Sequence, residues 1–215
     1  MRKLYCISGL GADERVFMKL RVKNVQLVHI PWPDYDEHDE LPCYAQKVSS
    51  LIKEENPLIL GVSLGGMIGV EISKIRPVEK VILVSSAKTK KEMPPYEGLF
   101  GKLMRSKIVP SFMYKIPNPI MYERFGAETD EDEALLTAIL KDSDGKFMKW
   151  AMRAISFWQN ETIVPPVAHI HGMQDRIIFP GNIQADRWID DGGHMMIYNR
   201  AEEVSKFIQE QIDVL

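Results

Sequence analysis

Residues 58–66 read Leu-Ile-Leu-Gly-Val-Ser-Leu-Gly-Gly, and apolar residues at helical spacing follow as far as Ile75. An apolar run that enters Gly-x-Ser-x-Gly and leaves as a helix predicts a strand, a sharp turn with serine at its apex, and an immediate helix. Backbone packs against backbone on both sides of such a turn, so Gly61 and Gly65 stand where a Cβ would collide. A hydroxyl held this way stands exposed above the sheet, with the first turn of a helix behind it.

The same alternation runs along much of the chain. Apolar stretches predict strands over 3–7, 25–30, 58–62, 81–84, 167–171 and 185–189. Helical spacing predicts helices over 44–54, 64–75, 130–141, 146–158 and 201–212, with Thr129 and Asp132 as a capping pair for the third. Pro31-Trp32-Pro33 closes the second strand, Asn56-Pro57 follows the first helix and Pro77 ends the second. Near-continuous apolar strands alternating with helices predict an α/β fold, with a mostly parallel sheet covered on both faces. A chain of 215 residues is long enough for one such domain and a modest insertion.

The rhythm breaks between about residues 88 and 160. This stretch carries six of the chain's 12 methionines, together with Pro94-Pro95-Tyr96, Leu99-Phe100, Leu103-Met104 and Phe112-Met113-Tyr114. Soft, adaptable side chains between two strands predict a helical cap insertion over 88–145, an apolar lid on the domain. Residues 146–158, with Phe147, Trp150 and Ile155, are expected to pack as part of the second helical layer. Lys88-Thr89-Lys90-Lys91-Glu92 is expected to be the solvated start of the insertion.

Charge and cysteine content narrow the partners. A net charge of -3 gives no electrostatic reason to expect nucleic acid or an anionic membrane. No apolar run approaches the roughly 18 residues of a membrane span. The apolar start is cut short by Asp13-Glu14-Arg15, so a cytoplasmic protein is expected rather than one with a signal peptide. Cys6 and Cys43 form no CxxC pair or zinc spacing, and Cys6 falls in a strand as a small core residue. No metal or organic cofactor is implied, and these residues leave oligomeric state open.

A serine hydroxyl needs a base in contact before it attacks at neutral pH, and the base needs an orienting acid. His171-Gly172-Met173-Gln174-Asp175 follows the fifth strand, and Asp190-Asp191-Gly192-Gly193-His194 follows the sixth. Reactive groups in open α/β sheets gather beyond the carboxyl ends of the strands. Ser63, Asp175 and His194 each occupy such a position, in the chain order Ser, Asp, His.

With these residues the chain resembles the α/β-hydrolase superfamily over most of its length. The resemblance rests on Gly61-Val62-Ser63-Leu64-Gly65, on His171-Gly172 leading to Asp175 with a later Pro180, and on Gly193-His194 before the last helix. It implies Ser63 as nucleophile, His194 as general base and then acid, and Asp175 as the group that orients the imidazole. It further implies an oxyanion hole from the Leu64 N–H and a second N–H in the loop after the first strand, assigned to Leu10. That loop reads Ser8-Gly9-Leu10-Gly11 where the family usually has His-Gly, a departure at position 8. The first strand matches the family's third, so the two leading strands are absent and the expected order is 2-1-3-4-5-6.

Other residues compete for these roles. His29 and His169 lie inside apolar strands and read as core or sheet-end residues; His38 reads as a solvated loop residue. His171 is expected to hydrogen-bond the acid loop. Asp190 and Asp191 rival Asp175 as the acid, which is preferred for its strand-end approach to the imidazole. Ser85 and Ser86 lack the glycine elbow, and Gly9 with Gly11 makes only an incomplete GxGxxG. The implied activity is that of a serine hydrolase on a small, largely apolar ester, thioester or lactone. The alternatives are a non-catalytic ligand-binding or signalling module, and lyase-type chemistry at the same site.

Overall fold

The structure, a computed structural model, describes residues 1–93 and 109–215. Strands β1 (Arg2–Ile7), β2 (Val25–His29), β3 (Leu58–Val62), β4 (Lys80–Val84), β5 (Val167–Gly172) and β6 (Arg187–Ile189) form one sheet. All five pairings are parallel, in the order β2-β1-β3-β4-β5-β6. The class and order are those expected, with β2 at one edge.

Both faces of the sheet are buried, which explains its nearly unbroken apolar strands. Leu4 and Cys6 of β1, Leu58, Leu60 and Val62 of β3, and Ile82 and Val84 of β4 point to one side. They meet Val204, Phe207 and Ile208 of the closing helix α6 (Ala201–Asp213), together with Leu136 and Ile139 of α4 (Asp130–Asp142). The alternate residues Tyr5, Ile7, Ile59, Val81 and Leu83 pack on the other side against α1 (Leu41–Ser50) and α2 (Leu64–Ile75). Helix α5 (Gly145–Phe157) joins that second layer through Phe147, Trp150, Ala151 and Ala154, as expected for 146–158. Just past its end, the Trp158 Nε1–H donates to the buried Glu71 carboxylate of α2 at 2.8 Å.

Several boundaries differ from the sequence reading. Helix α1 begins at Leu41 rather than 44, because Pro42 suits a first turn where its missing N–H is no loss. It ends at Ser50 rather than 54; the Arg76 guanidinium donates to the carbonyls of Ser49, Ile52, Glu54 and Glu55 and takes over where helical bonds stop. Strand β6 starts at Arg187 rather than 185, since the Asp186 carboxylate accepts the His169 N–H at 2.7 Å in place of a backbone oxygen.

Of the insertion expected over 88–145, residues 94–108 lie outside the described residues, and with them Pro94-Pro95-Tyr96, Leu99-Phe100 and Leu103-Met104. The described part holds α3 (Pro119–Phe125) and α4, the latter started by a capping box between Thr129 and Asp132. Its beginning departs from the expected solvated segment. Glu92 is buried and accepts from the backbone N–H groups of Lys88 and Gln184, because those amides otherwise lack acceptors there.

Candidate active site

The parallel register brings the carboxyl ends of the strands to one rim. Ile7 lies opposite Gly61, Val62 opposite Val84, Val84 opposite Ile170, and Gly172 opposite Ile189. Whatever follows these strands therefore converges. The turn 8–12, Ser63, Ser85-Ser86, the turn after Gly172 and the turn after Ile189 share that rim.

Ser63 ends β3 with φ 51° and ψ -118°, a left-handed conformation unusual for a residue bearing a Cβ. Several contacts hold it there. Its N–H donates to Val84 O at 3.0 Å, and its carbonyl accepts from the Gly66 N–H at 3.0 Å and the Ser86 hydroxyl at 2.6 Å. A Cβ on Gly61 would lie 2.5 Å from Gly66 backbone atoms, and one on Gly65 would overlap the carbonyls of Ile7 and Ser8. The turn is thus wedged between β1 and its own helix, and only glycine fits at either flank.

The three side chains named from the sequence meet at this rim. His194 Nδ1–H donates to Asp175 Oδ2 at 2.8 Å, and Ser63 Oγ lies 3.0 Å from His194 Nε2. A carboxylate only accepts, so Nδ1 carries the proton and Nε2 presents a lone pair to the hydroxyl. Asp175 Oδ1 accepts the backbone N–H groups of Ile177 and Ile178 at 2.8 and 2.9 Å. Burial alone would raise the Asp175 carboxyl. The charge His194 carries once protonated and its hydrogen bond, with His171 and the Ile178 N–H, outweigh this and hold it below the ordinary carboxylate range.

The rival acids are placed elsewhere: Asp190 and Asp191 are both exposed, and Asp191 is paired with Arg200 at 3.0 Å. Leu64 is the first residue of α2, where an N–H has no intrahelical acceptor. Leu10 is half-buried and follows Gly9, whose Cβ position would lie 3.4 Å from the Cβ of Ser63. The loop that carries Leu10 is closed on itself. The Ser8 hydroxyl donates to Ala12 O at 2.7 Å, and the Ala12 N–H donates to Gly9 O at 3.0 Å. Serine at position 8 thus supplies a loop-closing bond of its own.

Two contributors escaped the sequence. Ser86, set aside there as lacking a glycine elbow, braces the Ser63 carbonyl; its position two past a strand end was the available signal. Phe125 at the end of α3 presents its ring edge-on to His194 at 5.5 Å between centroids, and its carbonyl accepts the Met195 N–H at 2.8 Å. No local pattern foretells that contact. Cys6 is buried and Cys43 exposed, both as free thiols. Among the described residues no group of three His, Cys, Asp or Glu side chains is placed to hold a metal ion, and no helix is long and apolar enough to cross a membrane.

Burial pushes His169 and His171 below the ordinary imidazole value of 6.5, so each takes up a proton less readily in the folded protein than in the unfolded chain. Unfolding restores ordinary proton affinity. Below pH 6.5 the unfolded chain therefore binds protons that the folded one refuses, and stability falls as pH drops. The slope is at most about 1.4 kcal/mol per pH unit per imidazole until the folded-state values are reached. The lowered Asp175 acts only near and below the ordinary carboxylate range, so it leaves pH 5.5–7.5 to the histidines. Urea unfolding at pH 7.5 and 5.5 is expected to show this loss, and His169→Leu to remove part of it.

No protein-family model and no curated protein matches the sequence. Solved structures do match the fold. An esterase from Exiguobacterium antarcticum superposes with a TM-score of 0.78 at 15% identity, over 99% of this chain and 92% of that one. An epoxide hydrolase from Bacillus megaterium gives 0.74 at 12% identity, over 99% and 94%. The N-acyl homoserine lactonase AidH gives 0.70 at 17% identity, over 99% and 89%. These likenesses show that the chain has the fold expected from the sequence, the α/β-hydrolase fold.

Proposed function

We propose that the protein is a serine hydrolase that cleaves a small, largely apolar carboxylic ester, thioester or lactone through an acyl-enzyme on Ser63. The observation that carries this reading is the unbroken hydrogen-bonded path from Ser63 Oγ through His194 to Asp175, at 3.0 and 2.8 Å. In the proposed reaction Ser63 Oγ attacks the carbonyl carbon while His194 Nε2 takes its proton, and Asp175 stabilises the imidazolium that forms. The Leu10 and Leu64 N–H groups receive the oxyanion. Loss of one such donor costs on the order of 10²–10³ in rate elsewhere, so both are expected to matter. His194 then returns the proton to the departing alcohol or thiol. Water, deprotonated by the same imidazole, releases the acid.

The esterase and lactonase activities in the names of the structural neighbours agree with this reading. In the same reading the 88–145 insertion acts as a cap, a role supported by the contact of Phe125 with His194. The free Cys6 and Cys43 agree with a reducing, cytoplasmic location. Hydrolysis of p-nitrophenyl acetate tests the function. The wild type is expected to turn it over, and Ser63→Ala to lower kcat by about 10⁴-fold or more. Alanine keeps the Cβ already accommodated at this φ, so the variant should fold. A wild type without turnover, or a Ser63→Ala variant equal to it, would overturn the proposal.

A further inference from the structure

Two imidazoles outside the path from Ser63 to Asp175 lie directly behind it. His169 and His171 share one face of β5 and are fully buried, with ring centroids 5.2 Å apart. His171 Nε2 is 2.9 Å from the Ile178 carbonyl oxygen and 3.5 Å from Asp175 Oδ2. Both oxygens only accept, so Nε2 carries the His171 proton. Its Nδ1 is then a lone pair, and it accepts from His169 Nε2–H at 3.3 Å. That leaves His169 Nδ1 as a bare lone pair, and it is one of the buried atoms without a partner among the described residues.

Charged and titratable groups face this pair from every side. Asp175 and Glu92 favour a cation at His171, while His194 opposes it; Lys88 opposes one at His169, and burial outweighs the rest at both rings. The Trp188 ring of β6 closes the remaining side of His171 at 5.8 Å.

We propose that His171 is a positioning residue for the acid of the site: its Nε2–H holds the Ile178 carbonyl and so fixes the turn that presents Asp175 to His194. The Ile177 and Ile178 N–H groups of that turn hold Asp175 Oδ1, which leaves Oδ2 in line with His194 Nδ1. His169 fixes the tautomer of His171. The kinetic part of this inference rests on the hydrolase reading above.

The test compares His171→Phe, which keeps ring bulk and loses the donor, with His171→Gln, whose amide N–H reaches about as far as Nε2. With p-nitrophenyl acetate, His171→Phe is expected to lose at least tenfold in kcat with KM within twofold. Its acid limb in kcat/KM should move to lower pH, because a loosened carboxylate stabilises the imidazolium less. His171→Gln should return to within threefold of wild type. NMR reads the same geometry without turnover. The His194 Nδ1–H proton should be a slowly exchanging downfield signal in wild type and His171→Gln, and should be lost in His171→Phe. Nitrogen-15 spectra of the wild type should show His171 as the Nε2–H tautomer at neutral pH. An Nδ1–H tautomer, or a His171→Phe variant with kcat within twofold and that signal intact, would overturn the proposal. Intact NMR signals in a wild type without turnover would sink the hydrolase reading and leave this one standing.

Discussion

Asp175→Asn is expected to lower kcat by about four orders of magnitude while the protein remains folded. The reason lies in which oxygen does what. Asp175 Oδ1 accepts two backbone N–H groups, from Ile177 and Ile178, so the carbonyl oxygen of an asparagine must stay there. Its NH₂ group then replaces Oδ2 and faces His194 Nδ1. An amide N–H can only donate, so Nδ1 becomes the acceptor and the His194 proton moves to Nε2. That nitrogen points at Ser63 Oγ from 3.0 Å and can no longer receive its proton. The reversed amide would set NH₂ against two N–H donors, which is worse. Steady-state hydrolysis beside a thermal melt checks this. A loss below tenfold would move the acid role to another carboxylate. Asp191, exposed and held by Arg200, is the internal control, and Asp191→Asn should stay within twofold of wild type.

Gly65→Ala should be among the most damaging single methyl groups near the site. The added carbon would overlap the carbonyl groups of Ile7 and Ser8, backbone atoms at the end of a central strand. A flexible side chain could swing aside; a strand paired on both edges cannot. Overpacking typically costs about 1–3 kcal/mol and sometimes more, and contact with fixed backbone falls at the upper end. Against a total stability of about 5–15 kcal/mol, that is a large share. The expected outcome is poor recovery of soluble protein, or a clearly lowered melting temperature with turnover lost, since any relief shifts the loop that carries Leu10. Gly69→Ala is the comparison, four residues on in the same helix. Its Cβ would meet only the Val81 and Ile59 methyl groups, at 3.0 and 3.4 Å, and helix propensity favours alanine by up to about 1 kcal/mol. Equal melting temperatures for the two variants would contradict the wedged-turn account.

The elbow was legible because its causes are local: an apolar strand, glycines two residues either side of Ser63, and a helix pattern without interruption. Helix α2 spans Leu64–Ile75 as the periodicity indicates, and Pro77 stops it. The strand order followed from resemblance to a known family, since no local signal orders parallel strands. What stayed hidden depends on contacts between distant segments. The Arg76 side chain holds the carbonyl of Ser49 and those of Ile52, Glu54 and Glu55 just beyond α1, and the Asp186 carboxylate shortens β6 by replacing a ladder bond. Glu92, in a lysine-rich run that reads as solvated, is buried because two amides need it. The bond from Ser86 to the Ser63 carbonyl and the ring of Phe125 beside His194 likewise appear only once the rim is assembled.

Covalent capture tests the activation of Ser63 most directly. A fluorophosphonate probe is expected to form one stable adduct on the peptide containing Ser63, and to form none with Ser63→Ala. Labelling should slow by orders of magnitude in Asp175→Asn. An adduct on another residue, or undiminished ester turnover by a protein that the probe leaves unmodified, would contradict the account.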